Sequence, residues 1–338
     1  MNIFSALNKN YKFDFKLSIM DIGARDYLQW PWNKLDNNFL DIFLFEPEEK
    51  EATKLKNNFG KNLNIFNNLL SDKEESVKLN INKSPGTSSI LKPNFEFLDN
   101  FSDISRFETI NKVNYYSTTL DKLYSTNKIG KIDFVKIDTQ GSELKILKGG
   151  KSFLDNIIGL EIEINFNEIY KEQCFFSDVD NFVRNELNLN LWDIKTIDWK
   201  YVKGVKNSFN KKGQIISGDA LYLKSISQMI NFIENKEDYE KRIYVIKLIL
   251  ISLIYGFIDY SNTILFTESL SKFLNIKDKL YFEQIIKGIN RFSFTSKKGN
   301  KYLYYFFHFL SEVFKQSLNN SNRSKRNIGS EKIGTFWI

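Results

Sequence analysis

"DFVKIDTQGSELKILKGG", residues 133–150, decides the fold. It reads as a short buried strand, a tight turn, and a helix with Gly149 and Gly150 at its C-terminus. A strand that runs straight into a helix is half of a βαβ unit. Two charges interrupt its apolar run. Side chains alternate across a strand, so Phe134, Lys136 and Asp138 share one face, and Val135 and Ile137 share the other. Asp138 falls at the strand's carboxyl end, beside the turn, and Lys136 lies one pleat deeper. A buried lysine is costly unless it is paired. The stretch therefore asks why these charges are here.

The same alternation runs on both sides of it. "KLSIMDIG" (16–23) is a strand ending in a glycine turn. "LDIFLFEP" (40–47) is a second strand, stopped by Pro47. "EEKEATKLKNNFG" (48–60) is an amphipathic helix closed by Gly60. "NLNIFNNLLSD" (62–72) reads as a third strand, "IIGLEIEINF" (157–166) as a fifth and "GDALYLK" (218–224) as a closing one. Strands alternating with helices predict a parallel sheet with helices on both faces. The segment from Asn80 to Ser117 reads as an irregular insert, of a length that is uncommon in such domains unless functional. After Lys224 the pattern changes to a 3.6-residue period. Helices are predicted within 225–257, 262–275, 278–290 and 301–318. The expected organisation is an α/β domain over 1–224, an all-helical domain over 225–318, and a basic, disordered tail over 319–338.

Composition excludes several chemistries. One cysteine, Cys174, and one histidine, His308, permit no intramolecular disulfide and no Cys/His zinc site. A hydrolytic triad would have to use His308, which lies in a late helical stretch. No metal is expected. The formal charge of +7 is spread along the chain, with no basic block before the tail, so no nucleic-acid partner is expected. The N-terminus has no long apolar segment, and the stretch 243–258, interrupted by Lys247, is too short to span a bilayer. It reads as a core helix. A cytoplasmic protein is the expectation.

Ligands of open parallel sheets bind outside the carboxyl ends of the strands. At the first, "SIMDIGARD" (18–26), Gly23 lets backbone approach a ligand closely, with Asp21 and Ala24 beside it. One glycine, where a dinucleotide fingerprint has three, suits a ligand without phosphates, such as S-adenosylmethionine. At the second, Glu46 can accept both ribose hydroxyls of an adenosine. At the third, Asp72 can accept the adenine amino group. At the fourth, Asp138 and Lys136 converge with Glu163, which shares a face with Glu161 on the next strand; a Lys136–Glu pair across the strands is expected. Ser88, Ser89, Glu143 and Tyr170 are candidates for contact with a second substrate. Glu143 also suits a helix N-terminus, and Tyr170 also suits packing.

"IDFVKIDTQGSELKILKGG" resembles the signature of the FkbM-type S-adenosylmethionine-dependent methyltransferases. "GLEIEINFNEIYKEQCFFSDVDNFVRNELNLNLWDIK" (159–195) is similar to that family's following block, and "GQIISGDALYLK" (213–224) to its closing segment. "SIMDIG", "FLFEPEEKEATKLKNNF" and "SPGTSSI" fit its cofactor half and serine-rich loop. The resemblance covers about 17–224. It implies a Rossmann-like class I methyltransferase sheet and O-methyl transfer to a hydroxyl of a sugar, glycan or secondary metabolite. "DIGARDY" departs from the pattern, since many members carry a second glycine where this chain has Asp26 or Tyr27.

For methyl transfer the residues assign Asp138 first, then Glu163 and Lys136, to orient the acceptor hydroxyl or take its proton. Two other readings stand beside this one. One is a catalytically inactive domain whose helical half binds a partner or a second copy of the chain. The other is a nicotinamide-dependent oxidoreductase, which the missing glycines oppose.

Overall fold

The structure, a computed structural model, describes residues 3–7, 13–25, 28–36, 38–59, 63–202, 213–290 and scattered positions from 302 to 310. Gly60, Asp26, Tyr27, His308 and the tail 319–338 lie outside the described residues, as does most of the helix expected at 301–318.

The strands are β1 (Leu17–Ile22), β2 (Leu40–Phe45), β3 (Asn64–Phe66), β4 (Ser76–Asn82), β5 (Thr109–Tyr116), β6 (Phe134–Ile137), β7 (Gly159–Asn165), β8 (Asn190–Trp199) and β9 (Gln214–Leu223). Seven of them form one sheet in the order β3-β2-β1-β6-β7-β9-β8. β1, β2, β3, β6 and β7 are parallel, while β9 runs antiparallel to both β7 and β8. This is a class I methyltransferase sheet. Every residue of β6 and β7 is buried, as central parallel strands covered on both faces must be.

The helices are α1 (Ile3–Leu7), α2 (Glu49–Phe59), α3 (Phe95–Leu98), α4 (Leu120–Ser125), α5 (Glu143–Gly149), α6 (Lys151–Leu154), α7 (Phe176–Glu186), α8 (Ile226–Ile233), α9 (Asp238–Ile254), α10 (Ile258–Phe266), α11 (Glu268–Ser271) and α12 (Ile276–Asn290). On one face of the sheet Met20, Val135, Leu160 and Tyr222, aligned across four strands, pack with Leu120 of α4, Leu147 of α5, Phe153 of α6 and Val179 of α7. On the other face Ile19, Phe134, Leu221 and Leu223 pack with Leu55 of α2 and with Val245, Ile264 and Phe282 from α9, α10 and α12.

The helices after residue 224 therefore share the sheet's own core. α9 crosses the sheet and is tied to it by charge as well. Lys247, which interrupts the apolar stretch 243–258, pairs at 2.6 Å with Asp133 beside β6. Tyr255, just past α9, stacks on Phe134 with ring centroids 5.3 Å apart. Arg242 holds Asp278 of α12 through two hydrogen bonds.

Two strand readings are corrected. The third strand stops at Phe66, so Asp72 is six residues beyond it rather than at its tip. Residues 69–71 instead run beside Thr118, and Ser71 lies so close to Gly149 that a Cβ there would be 2.1 Å from the Ser71 carbonyl oxygen. The 80–117 insert is also not irregular throughout. β4 and β5 pair as an antiparallel ribbon. "TINKVNYY" (109–116) is mostly exposed and mostly polar, so it lacks the apolar alternation that marks a strand.

Candidate active site

Three strand ends meet at the carboxyl edge of the sheet. Gly23 follows β1 with φ +86°, and its N–H donates to Phe45 O of β2 at 3.0 Å. A Cβ on Gly23 would lie 1.9 Å from the Asp138 carbonyl oxygen. Only glycine permits both the left-handed backbone and this approach. The first turn is thereby pressed against the end of β6, and Asp21 comes within electrostatic reach of Asp138.

Lys136 lies opposite Asp21 on β1 and opposite Glu161 on β7, all on one face. Glu163, two residues on, lies opposite Asp219 of β9. One lysine thus sits among carboxyls from four strands. The expected Lys136–Glu pair is not what forms. Lys136 Nζ lies 3.6 Å from Asp138 Oδ2, while Glu161 accepts a 2.6 Å hydrogen bond from the Tyr255 hydroxyl, brought from the C-terminal helices.

Gln140, which the sequence reading left unassigned, joins the acids. It has φ +59°, and its Nε2 donates to Asp138 Oδ1 at 2.9 Å and reaches both Glu163 oxygens at 3.0 and 3.1 Å. Its Oε1, at 3.1 Å, and Thr87 O, at 2.8 Å, are alternative acceptors for the single Tyr170 hydroxyl proton. Gln140 stands inside the "DTQG" turn, so its place in the motif was the available signal. Asp219 and Tyr255 gave none, because their neighbours lie far away in sequence.

The other candidates divide. Glu46 is buried one residue past β2. Its Oε1 accepts from Glu48 N at 2.8 Å, and Oε2 is 3.7 Å from Arg25 Nε. Ala24 is buried beside Gly23. Asp72 is exposed and accepts from Ser71 Oγ, apart from the others. Glu143 takes the backbone N–H groups of Thr139 and Gly141 and so holds the turn. Ser89 donates to Gln140 O at 2.6 Å and Ser88 accepts from Asn82 N at 3.2 Å; both brace the insert. Tyr170 is buried, with its hydroxyl against Gln140.

Burial and crowding raise the carboxyls. Glu161 is pushed up to about 7 by burial, with Lys136 opposing and Asp219 adding. Asp219 rises to about 6 from the same burial, and Glu46 to about 7. Glu163 is raised well above its ordinary value by burial and by its neighbours Asp138, Glu143 and Asp219. For Lys136, burial disfavours the charge, but Asp138, Asp21, Glu161 and Asp219 outweigh it and raise the lysine. Lys136 therefore keeps its proton and is not the base that the sequence allowed. It balances the acids.

A carboxyl raised in the folded state holds its proton more firmly there than in the unfolded chain. Its contribution to stability is full below the unfolded value and is lost as pH climbs through the folded one. For Glu46 and Glu161 that window runs from 4.5 to about 7, and for Asp219 from 3.8 to about 6. The melting temperature is expected to fall between about pH 5 and about pH 8, the range in which few other side chains titrate in a chain with one histidine. A scanning-calorimetry series with a flat or rising trend would contradict these assignments.

Among the described residues no group of three or more His, Cys, Asp or Glu is arranged to hold a metal ion, and no helix is long and apolar enough to cross a membrane.

The family described as Methyltransferase FkbM domain matches residues 21–189, half of the chain. Among solved structures, a methyltransferase FkbM from Methylobacillus flagellatus KT is 14% identical with a TM-score of 0.36, covering 65% of this chain. This chain spans 47% of that one, about half its length. A precorrin-6y C5,15-methyltransferase from Geobacter metallireducens GS-15 is 11% identical with a TM-score of 0.31, covering 66% of this chain and 86% of its own. A SAM-dependent methyltransferase from Agrobacterium tumefaciens is 8% identical with a TM-score of 0.32, covering 66% and 60%. No curated relative matches the chain.

Proposed function

Because the chain belongs to the FkbM methyltransferase domain family, we propose that it transfers a methyl group from S-adenosylmethionine to a hydroxyl of a sugar, glycan or secondary metabolite. The observation that carries this reading is the contact of Gly23 with the Asp138 backbone, which sets a cofactor turn against an acidic strand end.

The residues present suit such a cofactor. Two polar atoms of opposite character flank the first turn, buried without partners: Asp21 Oδ1, an acceptor, and Arg25 Nη1, a donor. They match the ammonium and carboxylate of an amino-acid tail. Glu46 is the carboxyl for the ribose hydroxyls. When bound, the cofactor supplies an electrophilic methyl carbon on a sulfonium.

This chain's own part is to orient and deprotonate the acceptor. Among the acids at this edge Asp21, Glu143, Glu161, Glu163 and Asp219 are each at most 6% exposed, whereas the Asp138 side chain is 15% exposed. Asp138 is therefore the carboxylate that meets the acceptor hydroxyl and takes its proton. Glu163, raised by burial, lies beside it. Gln140 fixes the two acids relative to each other, and Lys136 offsets the charge below.

One observation favours a second reading, a catalytically inactive domain. The Arg25 guanidinium lies against both Glu46 and Glu48, so the ribose carboxyl already has a cation beside it. Calorimetric titration with S-adenosylhomocysteine separates the two. Micromolar binding is expected, weakened about ten- to a hundredfold in Glu46→Ala, the range for a lost charge-assisted hydrogen bond. No heat from a folded protein would favour the inactive reading.

A further inference from the structure

A third apolar cluster caps the carboxyl edge, built from Phe101, Phe107, Ile169, Tyr170 and Ile216, with Trp199 packed against it. Arg106 lies in it. Its guanidinium carbon is 4.8 Å from the Phe107 ring centroid and 5.0 Å from that of Trp199. The other arginines with described side chains have carboxylate partners: Arg25 has Glu46 and Glu48, Arg184 has Asp180, and Arg242 has Asp278. Arg106 has no ion pair among the described residues, and its Nε is buried without a hydrogen bond. Burial lowers its affinity for a proton, and Asp103 and Tyr170 only partly offset this from a distance. A half-buried guanidinium set against two neighbouring, mutually tilted rings, with its fork unpaired, is an arrangement for a planar anion.

A second, independent observation points to the same ligand. Asn165 ends β7 on the face that carries Glu161 and Glu163. It is 3% exposed, and its Oδ1 is buried without a donor. Such an oxygen suits a ligand hydroxyl. The route from the Arg106 cluster to the acids is short. Tyr170 packs edge-on against Phe107 with centroids 6.0 Å apart, and its hydroxyl reaches Gln140, which holds Asp138 and Glu163.

We propose that the methyl acceptor is an acidic hydroxylated molecule whose carboxylate or phosphate is bound by Arg106 while the reacting hydroxyl lies at Asp138. This rests on the methyl-transfer reading and adds the charge of the acceptor. Asn165 takes a further hydroxyl, and the rings of Phe107 and Trp199 support the guanidinium.

The test is calorimetric titration of the full chain with D-glucuronate, glucose 6-phosphate and D-glucose. S-adenosylhomocysteine binding is measured separately on the same preparation. At least one acid is expected to bind about tenfold or more tightly than glucose, and the two acids tell a carboxylate site from a phosphate site. Arg106→Gln is expected to abolish the preference and leave homocysteine-nucleoside binding unchanged. Arg106→Lys keeps a cation beside the rings but loses the fork. It is expected to weaken acid binding at an unchanged melting temperature, and it decides the matter if the glutamine variant is unstable.

Equal binding of acids and glucose, no saturable acid binding into the millimolar range, or acid binding that survives both substitutions overturns the inference. Any of these alongside intact S-adenosylhomocysteine binding leaves the methyl-transfer reading standing. Acid binding without nucleoside binding removes that reading instead.

Discussion

A chain ended after Lys224 is expected not to fold, and its loss of structure is the largest single effect predicted for this protein. We propose that the sheet and the helices α8–α12 form one cooperative unit. Phe134, Leu221 and Leu223 are fully buried in the core that contains Val245, Ile249, Ile264 and Phe282. Each large apolar side chain returned to water costs roughly 1.5–3 kcal/mol, against a total stability of about 5–15 kcal/mol for an ordinary domain. Truncation would expose many such groups at once. It would also strip Lys247 from Asp133 and Tyr255 from Glu161, leaving two buried carboxyls without their partners. Circular dichroism and thermal melting of residues 1–224 check this. A cooperative melt together with S-adenosylhomocysteine binding by the fragment would restore the two-domain division that the change of periodicity suggests.

Asp138→Asn is expected to lower methyl transfer by about a hundred- to ten-thousandfold, the range for loss of a general base, with little change in the melting temperature. The amide is the same size and keeps an oxygen for Gln140 Nε2, now 2.9 Å from Asp138 Oδ1. Lys136 still faces Asp21 and Glu161 across the register. What disappears is the ability to take the acceptor's proton. S-adenosylhomocysteine affinity, measured in parallel, should hold, because Asp138 is not among the groups proposed to hold the cofactor. Full turnover in the variant would remove Asp138 from proton transfer and move attention to Glu163, with Glu163→Gln as the next substitution.

The opening stretch was legible because its information is local. Period-two alternation places Lys136 and Asp138 on one face wherever β6 sits in the sheet, and the helix start and paired glycines bound α5 without reference to the rest of the chain. The first two strand ends were legible for the same reason. The third was not: "NLNIFNNLLSD" carries apolar residues along its length, and only the contact of Ser71 with Gly149 draws the chain away from the sheet after Phe66. In the ribbon, β5 carries no apolar alternation, whereas β4, "SVKLNIN", alternates with Val77, Leu79 and Ile81 on one face and was a readable strand that the reading of an irregular insert passed over.

By itself, then, the sequence determined an α/β sheet, a glycine turn at its first strand, and acids delivered to its carboxyl edge, since each depends on spacing along one segment. The tertiary structure alone decided who meets whom. It set Asp138 rather than a glutamate beside Lys136 and turned Glu143 inward to the turn. It also brought Asp219 and Tyr255 to the acids from distant positions. Strand order and the packing of one element on another fix those meetings, and neither has a period that can be read along the chain.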